Sequence, residues 1–178
     1  MTSWFKKISW RKNGRRISVI YIIYAIMLQT THVFLFNSKW QLLLGMKKRW
    51  FGIGKWNWFG GKNHEGETIK ETALRELSEE AEIFLNERDI DKIGILHFLN
   101  EGKPERNQDV HVFHWKYDGE FSETEEMKPQ WRDIEKIPYE SMREDDPIRL
   151  PKLISRIASF DMTFTFDKEG KLKNYFWE

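Results

Sequence analysis

The segment from Gly60 to Ile83 constrains this chain more than any other. A loop rich in glycine and charge, Gly60-Gly61-Lys62-Asn63-His64-Glu65-Gly66-Glu67, leads directly into Thr68–Ala81. That second stretch is built of Glu, Lys, Leu and Ala with no Gly or Pro inside, a composition that predicts a helix. At about 100° per residue, Glu76, Glu79 and Glu80 fall within roughly a 100° arc of one face. Like charges at that spacing repel by a few tenths of a kcal/mol per pair, so something positive is expected to sit on the face. Hard divalent cations take oxygen ligands, and Mg²⁺ commonly binds a few carboxylates plus substrate phosphates. A bare Glu-x-x-Glu-Glu is ordinarily a solvated acidic face. Facing a glycine loop, three clustered glutamates form a reasonable phosphate–metal site.

The flanks of this helix read as strands. Thr31–Phe36 and Trp40–Met46 are apolar runs separated by Asn37-Ser38-Lys39, a hairpin break. Lys47–Gly61 reads as a loop, Ile93–Phe98 and Val110–Tyr117 as strands, and Asn100–Gln108 as a polar loop between them. Trp131–Ile134 reads as a short strand and Leu150–Ser159 as a helix starting around Pro151. Phe160–Phe166 and Lys171–Trp177 then close a hairpin across Asp167–Gly170. Strands on both sides of one helix, with a second helix late, predict an α/β fold with a mixed β-sheet sandwiched between α-helices. No internal repeat breaks the pattern.

The 178 residues carry 29 Lys+Arg against 28 Asp+Glu, which hides a split. Residues 1–26 hold six basic residues and no acid, so the remainder carries 23 basic against 28 acidic. A uniformly basic nucleic-acid-coating protein is excluded, and at 40% hydrophobic and 15% aromatic so is a charge-rich disordered chain. With no cysteine, thiolate zinc sites, disulfides and a Cys nucleophile are excluded as well. The five histidines fit no zinc spacing; His111 and His114 would point to opposite faces of one strand. The apolar run Ile17–Leu28 is too short to cross a bilayer as a helix, which needs about 20 residues. Residues 1–26 are therefore read as a basic N-terminal extension: a disordered tail, or a stretch upstream of a true start at Met27, with membrane contact by residues 1–28 the less favoured reading. The domain proper is expected over 27–178.

The spacing across the segment is longer than a short motif. Gly61 is followed by five residues, Glu67, seven residues, Arg75-Glu76, Leu77, Ser78, Glu79-Glu80, Ala81, Glu82 and Ile83. This resembles the signature of the Nudix hydrolases, with one departure: the position of Glu82 is normally glycine. That residue sits just past the helix, where a left-handed backbone costs a non-glycine residue about 1 kcal/mol. No proposed metal ligand is lost. Leu44–Arg49, Gly54–Asn57, Phe59–Lys62, Asp109–Phe113, Glu126–Pro129, Trp131 and Asp145-Asp146 look like the oxidised-purine nucleoside triphosphatase (8-oxo-dGTP diphosphatase) branch of that family, from about Thr31 to the C-terminus.

The resemblance implies the Nudix fold and Mg²⁺-dependent hydrolysis of a nucleoside triphosphate to the monophosphate and pyrophosphate, with Mn²⁺ as an alternative ion. It implies metal ligands at Glu76, Glu79, Glu80 and Glu126 with the Gly60 carbonyl, one of the glutamates acting as base, and Arg75 orienting carboxylates by pairing with Glu67. Lys47, Gly61 and Lys62 match phosphate-side positions. Asn57, Phe59, Phe98, Met127, Asp145 and Asp146 match the base pocket, although Phe59, Phe98 and Met127 taken alone read as core; adjacent carboxyls there can push one pKa upward so that a protonated Asp donates to a carbonyl. Three pocket positions depart from the branch: Arg143 stands where a stacking tryptophan is usual, His32 replaces a small hydroxyl residue, and Trp58 replaces a glycine. Rival readings follow from those departures: another nucleotide substrate, unmodified or capped RNA, or a catalytically silent binding module. The expected setting is a cytoplasmic monomer acting on a small nucleotide, without a stable nucleic-acid partner.

Overall fold

The computed structural model describes residues 4–12, 15–23, 27–49, 52–155 and 159–177. In the basic extension, β1 (Trp4–Lys12) and β2 (Arg15–Ile23) pair antiparallel as a two-stranded sheet of their own. Residues 24–26 of the apolar run lie outside the described residues. Among the described residues no helix is long and apolar enough to cross a membrane.

The rest of the chain forms one mixed sheet. Its strands are β3 (Leu28–Phe36), β4 (Gln41–Lys47), β5 (Trp56–Asn57), β6 (Asp91–Asn100), β7 (Gln108–Lys116), β8 (Met127–Asp133), β9 (Phe160–Phe166) and β10 (Leu172–Trp177). They run in the order β10-β9-β6-β7-β3-β4-β5, with β8 on β4. β3 lies parallel to β7 and β6 parallel to β9; the other pairings are antiparallel. Period-2 alternation divides the core. Val33 and Leu35 face α1 (Ile69–Ala81) together with Leu77, Ala81 and Phe113. Phe34 and Val112 face α2 (Asp146–Ser155) on the other side, with Leu150, Leu153 and Phe164. The helices therefore cover opposite faces, as the order of strands and helices along the chain predicted.

β3 and β4 meet as a hairpin at a single register pair, Phe36↔Leu42, and then fork. The Asn37 side-chain oxygen holds the turn by accepting the backbone N–H groups of Lys39 and Gln41, both at 2.9 Å. Beyond the fork β4 turns to β8 and β5, and the freed edge of β3 receives the glycine loop instead. Val33 N–H donates to the Phe59 carbonyl at 2.8 Å and Thr31 N–H to that of Gly61 at 2.9 Å. Trp58 and Phe59, adjacent in sequence, are buried in opposite halves of the core.

Three differences from the sequence reading bear on the site. β5 is a two-residue strand inside the expected Lys47–Gly61 loop. β8 begins at Met127, four residues before the expected start, because Pro129 is tolerated on a strand that pairs only with β4. α2 starts at Asp146 rather than near Pro151, and the first proline of that helix is Pro147, which fits a first turn where no N–H partner is needed. Residues 156–158 of the expected helix lie outside the described residues.

Candidate active site

Local sequence explains where α1 begins and ends. Thr68 caps it: its hydroxyl accepts the Glu71 N–H, and Glu71 returns the bond to Thr68 N–H at 2.7 Å, a reciprocal capping box. At the other end Glu82 takes the left-handed conformation (φ 54°, ψ 33°), and its N–H reaches the Leu77 and Ser78 carbonyls. The glycine geometry is thus kept by a glutamate, whose side chain is exposed beside the acidic face.

Two glycines set the loop against the helix. Gly60 has φ 137°, and a Cβ there would strike the Thr31 carbonyl. A Cβ on Gly61 would overlap the Glu76 carboxylate, so glycine lets that carboxylate lie against the backbone. Gly60 N–H donates to Glu80 at 2.9 Å.

Arg75 is the hub of the acidic face. Its Nε and Nη2 grip Glu67 as a fork, at 2.7 and 3.2 Å, while Nη1 reaches Glu76 at 2.9 Å and Glu79 at 3.0 Å. Nη2 also donates to the Lys62 carbonyl at 3.0 Å. The hydrogen bond from Arg75 holds Glu67 down to a pKa of about 2, helped by His64 N–H and the Thr72 hydroxyl. Glu76 moves the other way because it is buried. Burial raises Glu80 to about 8, against the pull of Gly60 N–H and of Lys47, whose ammonium is 3.9 Å away. Glu126 lies at the rim in an ion pair with Arg49. Among the described residues, no three acidic or histidine side chains are arranged around one point as a ready metal cage. Arg75 stands between Glu76 and Glu79, Glu80 turns to the loop, and Glu126 turns to Arg49. The donor set nevertheless suits a hard cation: carboxylate oxygens outnumber the cationic groups, and the buried Glu80 meets the Lys47 ammonium at 3.9 Å, beyond hydrogen-bond reach.

Across the sheet, at the start of α2, lies a second cluster. Asp145 and Asp146 are buried, and Arg149 between them is 0% exposed. Arg149 Nε lies 2.8 Å from Asp146 and 3.1 Å from Asp145, and Nη2 lies 2.6 Å from Asp146. Its Nη1 lies 3.3 Å from His32 Nδ1. Because a guanidinium only donates, His32 must accept there and carry its own proton on Nε2. Burial, then Arg149 and Arg143, hold His32 well below the usual imidazole range. Arg143 donates to Asp145 at 3.1 Å, and its backbone N–H to Asp146 at 2.9 Å. Trp58 stacks on Phe34 at 4.2 Å and donates its indole N–H to Asp146 at 3.1 Å.

Of the expected base-pocket residues, Asn57, Arg143 and Asp145 line one open cavity of about 380 Å³. His32, Phe98 and Asp146 lie behind it around Arg149. Phe59, expected in the pocket, is instead buried in the core with α1, and Met127 is buried over Gly45. Lys62 is exposed on the loop. Arg149 escaped the sequence reading. Its signal was a charge near the start of the largely apolar run Ile148–Ile154, three and four residues after two aspartates.

A buried-carboxylate helix packed against a glycine loop, on a mixed sheet between two helices, defines a class of enzymes that act on phosphates through a cation. The family model for the NUDIX domain matches residues 28–160, and the chain belongs to the Nudix family. It is 47% identical over 117 residues to the oxidized purine nucleoside triphosphate hydrolase of Danio rerio, covering 65% of this chain and 73% of that protein. To the Mus musculus protein of the same name it is 40% identical over 136 residues, covering 76% and 85%. Among solved structures, a Mutator MutT protein from Bacillus halodurans superposes with a TM-score of 0.71 at 24% identity, covering 85% of this chain and 98% of that one. The NUDIX domain of Shewanella oneidensis NrtR, solved with ADP ribose, gives 0.61 at 16% identity, covering 74% and 89%. These two show the fold.

Proposed function

We propose that residues 27–178 hydrolyse oxidised purine nucleoside triphosphates, of the 8-oxo-dGTP type, to the monophosphate and pyrophosphate with Mg²⁺. The observation that carries this reading is the 47% identity to a vertebrate enzyme of that name, joined to an acidic helix face built against the glycine loop. Nudix hydrolases as a family use divalent cations. Here Glu76, Glu79 and Glu80, with Glu126 and the Gly60 carbonyl, are the groups that would hold one. Such an ion, when bound, neutralises phosphate charge and acidifies water.

The remaining roles belong to the chain itself. Arg75 fixes the directions of Glu67, Glu76 and Glu79, a positioning role suited to its planar fork. Lys47 lies beside Glu80 at the end of β4 and, with Lys62 on the loop, supplies positive charge toward a triphosphate. One glutamate of the face takes the proton of the attacking water as the phosphoanhydride opens. Asn57, Arg143 and Asp145 receive the base.

A second reading, the same chemistry on unmodified nucleotides, draws on Arg143 and Trp58 at positions where the branch has other residue types. A panel of kcat/KM values decides between them. Preference for 8-oxo-dGTP over dGTP by tenfold or more supports the first reading; equal efficiencies support the second.

A further inference from the structure

Asp145 and Asp146 open α2 with four charges packed together: two carboxylates, Arg149 between them, and Arg143 on the outer side. A guanidinium does not give up its proton in a protein. Protonating Asp145 would therefore leave one carboxylate against two guanidiniums, in a site where Arg149 is 0% exposed. Asp146 is saturated: one oxygen takes Arg149 and the Trp58 indole, and the other takes Arg143 N–H. Asp145 faces the open cavity with Asn57, whose buried side-chain oxygen has no hydrogen-bond partner. The acceptors that a ligand meets are therefore Asn57 Oδ1 and an ionised Asp145, beside the amide and guanidinium donors of Asn57 and Arg143.

We propose that Arg149 is a positioning residue that keeps the aspartate pair acceptor-only, so that the pocket takes purines with a guanine-type edge and turns away those with an adenine-type edge. A guanine-type edge sets N–H donors beside a carbonyl, matching carboxylate acceptors beside Asn57 and Arg143. An adenine-type edge would set the N1 lone pair against a carboxylate that has no proton to give. The inference rests on the nucleotide reading above and adds the residue that sets base choice.

The cleanest test compares 8-oxo-dGTP with 8-oxo-dATP, which share the triphosphate and the oxidised imidazole ring. In the ratio of their kcat/KM values, titrations of the acidic face cancel. The groups left facing the pair are His32 from β3, Arg143 and Tyr139 from the segment before α2, and Arg149, with Glu144 and Lys55 at the cavity mouth. In the wild type the ratio should favour 8-oxo-dGTP by about 100-fold and stay flat from about pH 6 to about pH 8. Arg149→Met removes a buried charge that holds Asp145 ionised, so Asp145 takes up a proton more readily. The ratio should then fall by about tenfold or more and vary with pH, while Arg149→Lys should keep it near the wild-type value. A purely structural role would lower both substrates together and leave the ratio unchanged.

A wild-type ratio near one, a wild-type ratio that drifts tenfold over that range, or an unchanged ratio in folded Arg149→Met overturns the proposal. Should Arg149→Met fail to fold, the wild-type pH series and Arg149→Lys decide. Failure of the oxidised-purine reading looks different: 8-oxo-dGTP would then be no better than dGTP, and the inference is judged on dGTP against dATP.

Discussion

Both ends of the candidate site place an arginine between carboxylates, yet they are built for opposite purposes. On α1, Arg75 is partly exposed and reaches Glu67, Glu76 and Glu79, with Glu80 left to Lys47 at 3.9 Å. Negative charge is in excess there, around an arginine that solvent reaches. On α2, Arg149 and Arg143 balance Asp145 and Asp146, and every member is fixed by short contacts. Burial pushes Asp145 up, but the two guanidiniums outweigh it and hold the carboxyl below its usual range. An acidic cluster left short of cations can recruit one. A balanced cluster in the core is a recognition surface of fixed polarity.

The largest effect should come from the unbalanced end. Glu79 is half-exposed, and Glu79→Gln should lower kcat by about 10²- to 10⁴-fold with an unchanged melting temperature. Pyrophosphate release by full-length protein measures this, and unchanged turnover would remove α1 from the chemistry. At the balanced end the loss should fall on stability. Breaking a buried pair by removing one partner costs about 3–5 kcal/mol, so Arg149→Met should shift the urea midpoint far more than Arg75→Met. Equal shifts would erase the distinction between the two arginines.

The smallest effect concerns a group outside both clusters and asks whether burial alone sets proton affinity here. His111 on β7 is 8% exposed; its Nε2 lies 2.6 Å from Gln29 Oε1, and its Nδ1 has no partner. Burial lowers it to about 4. The unfolded chain therefore binds that proton first, and stability should fall as pH drops from about 6.5 toward 4, by up to about 1.4 kcal/mol per pH unit. Urea titrations at neutral and acidic pH should show a shallower slope in His111→Gln. An identical slope would assign the acid loss elsewhere, for instance to His114, whose imidazole burial also holds below its usual range.

These contrasts explain what could be read in the residues and what could not. The α1 helix was legible to within a residue because cap, composition and glutamate spacing agree over a single local stretch. The opposite helix was misplaced because its start depends on a buried ion-pair cluster whose members are separated by a turn, with His32 arriving from β3 more than a hundred residues away. In sequence, Arg149 is indistinguishable from a surface charge on an amphipathic helix. Only packing shows that it is enclosed by Phe98 and Trp58. Phe59 and Met127 read as core by themselves and as pocket only through the resemblance, and both are buried. Apolar residues beside a site are equally suited to a wall or a core, and the forked β3–β4 pair decides in favour of the core.

That fork also fixes a length. Asn57 on the base side and Gly61 on the phosphate side are joined by three residues, so their separation cannot exceed about 14 Å. Trp58 and Phe59 rivet the connection into opposite halves of the core. The segment thus works as a ruler whose gauge cannot be reset without loosening both hydrophobic layers. Nucleotides of different reach must adapt to the protein.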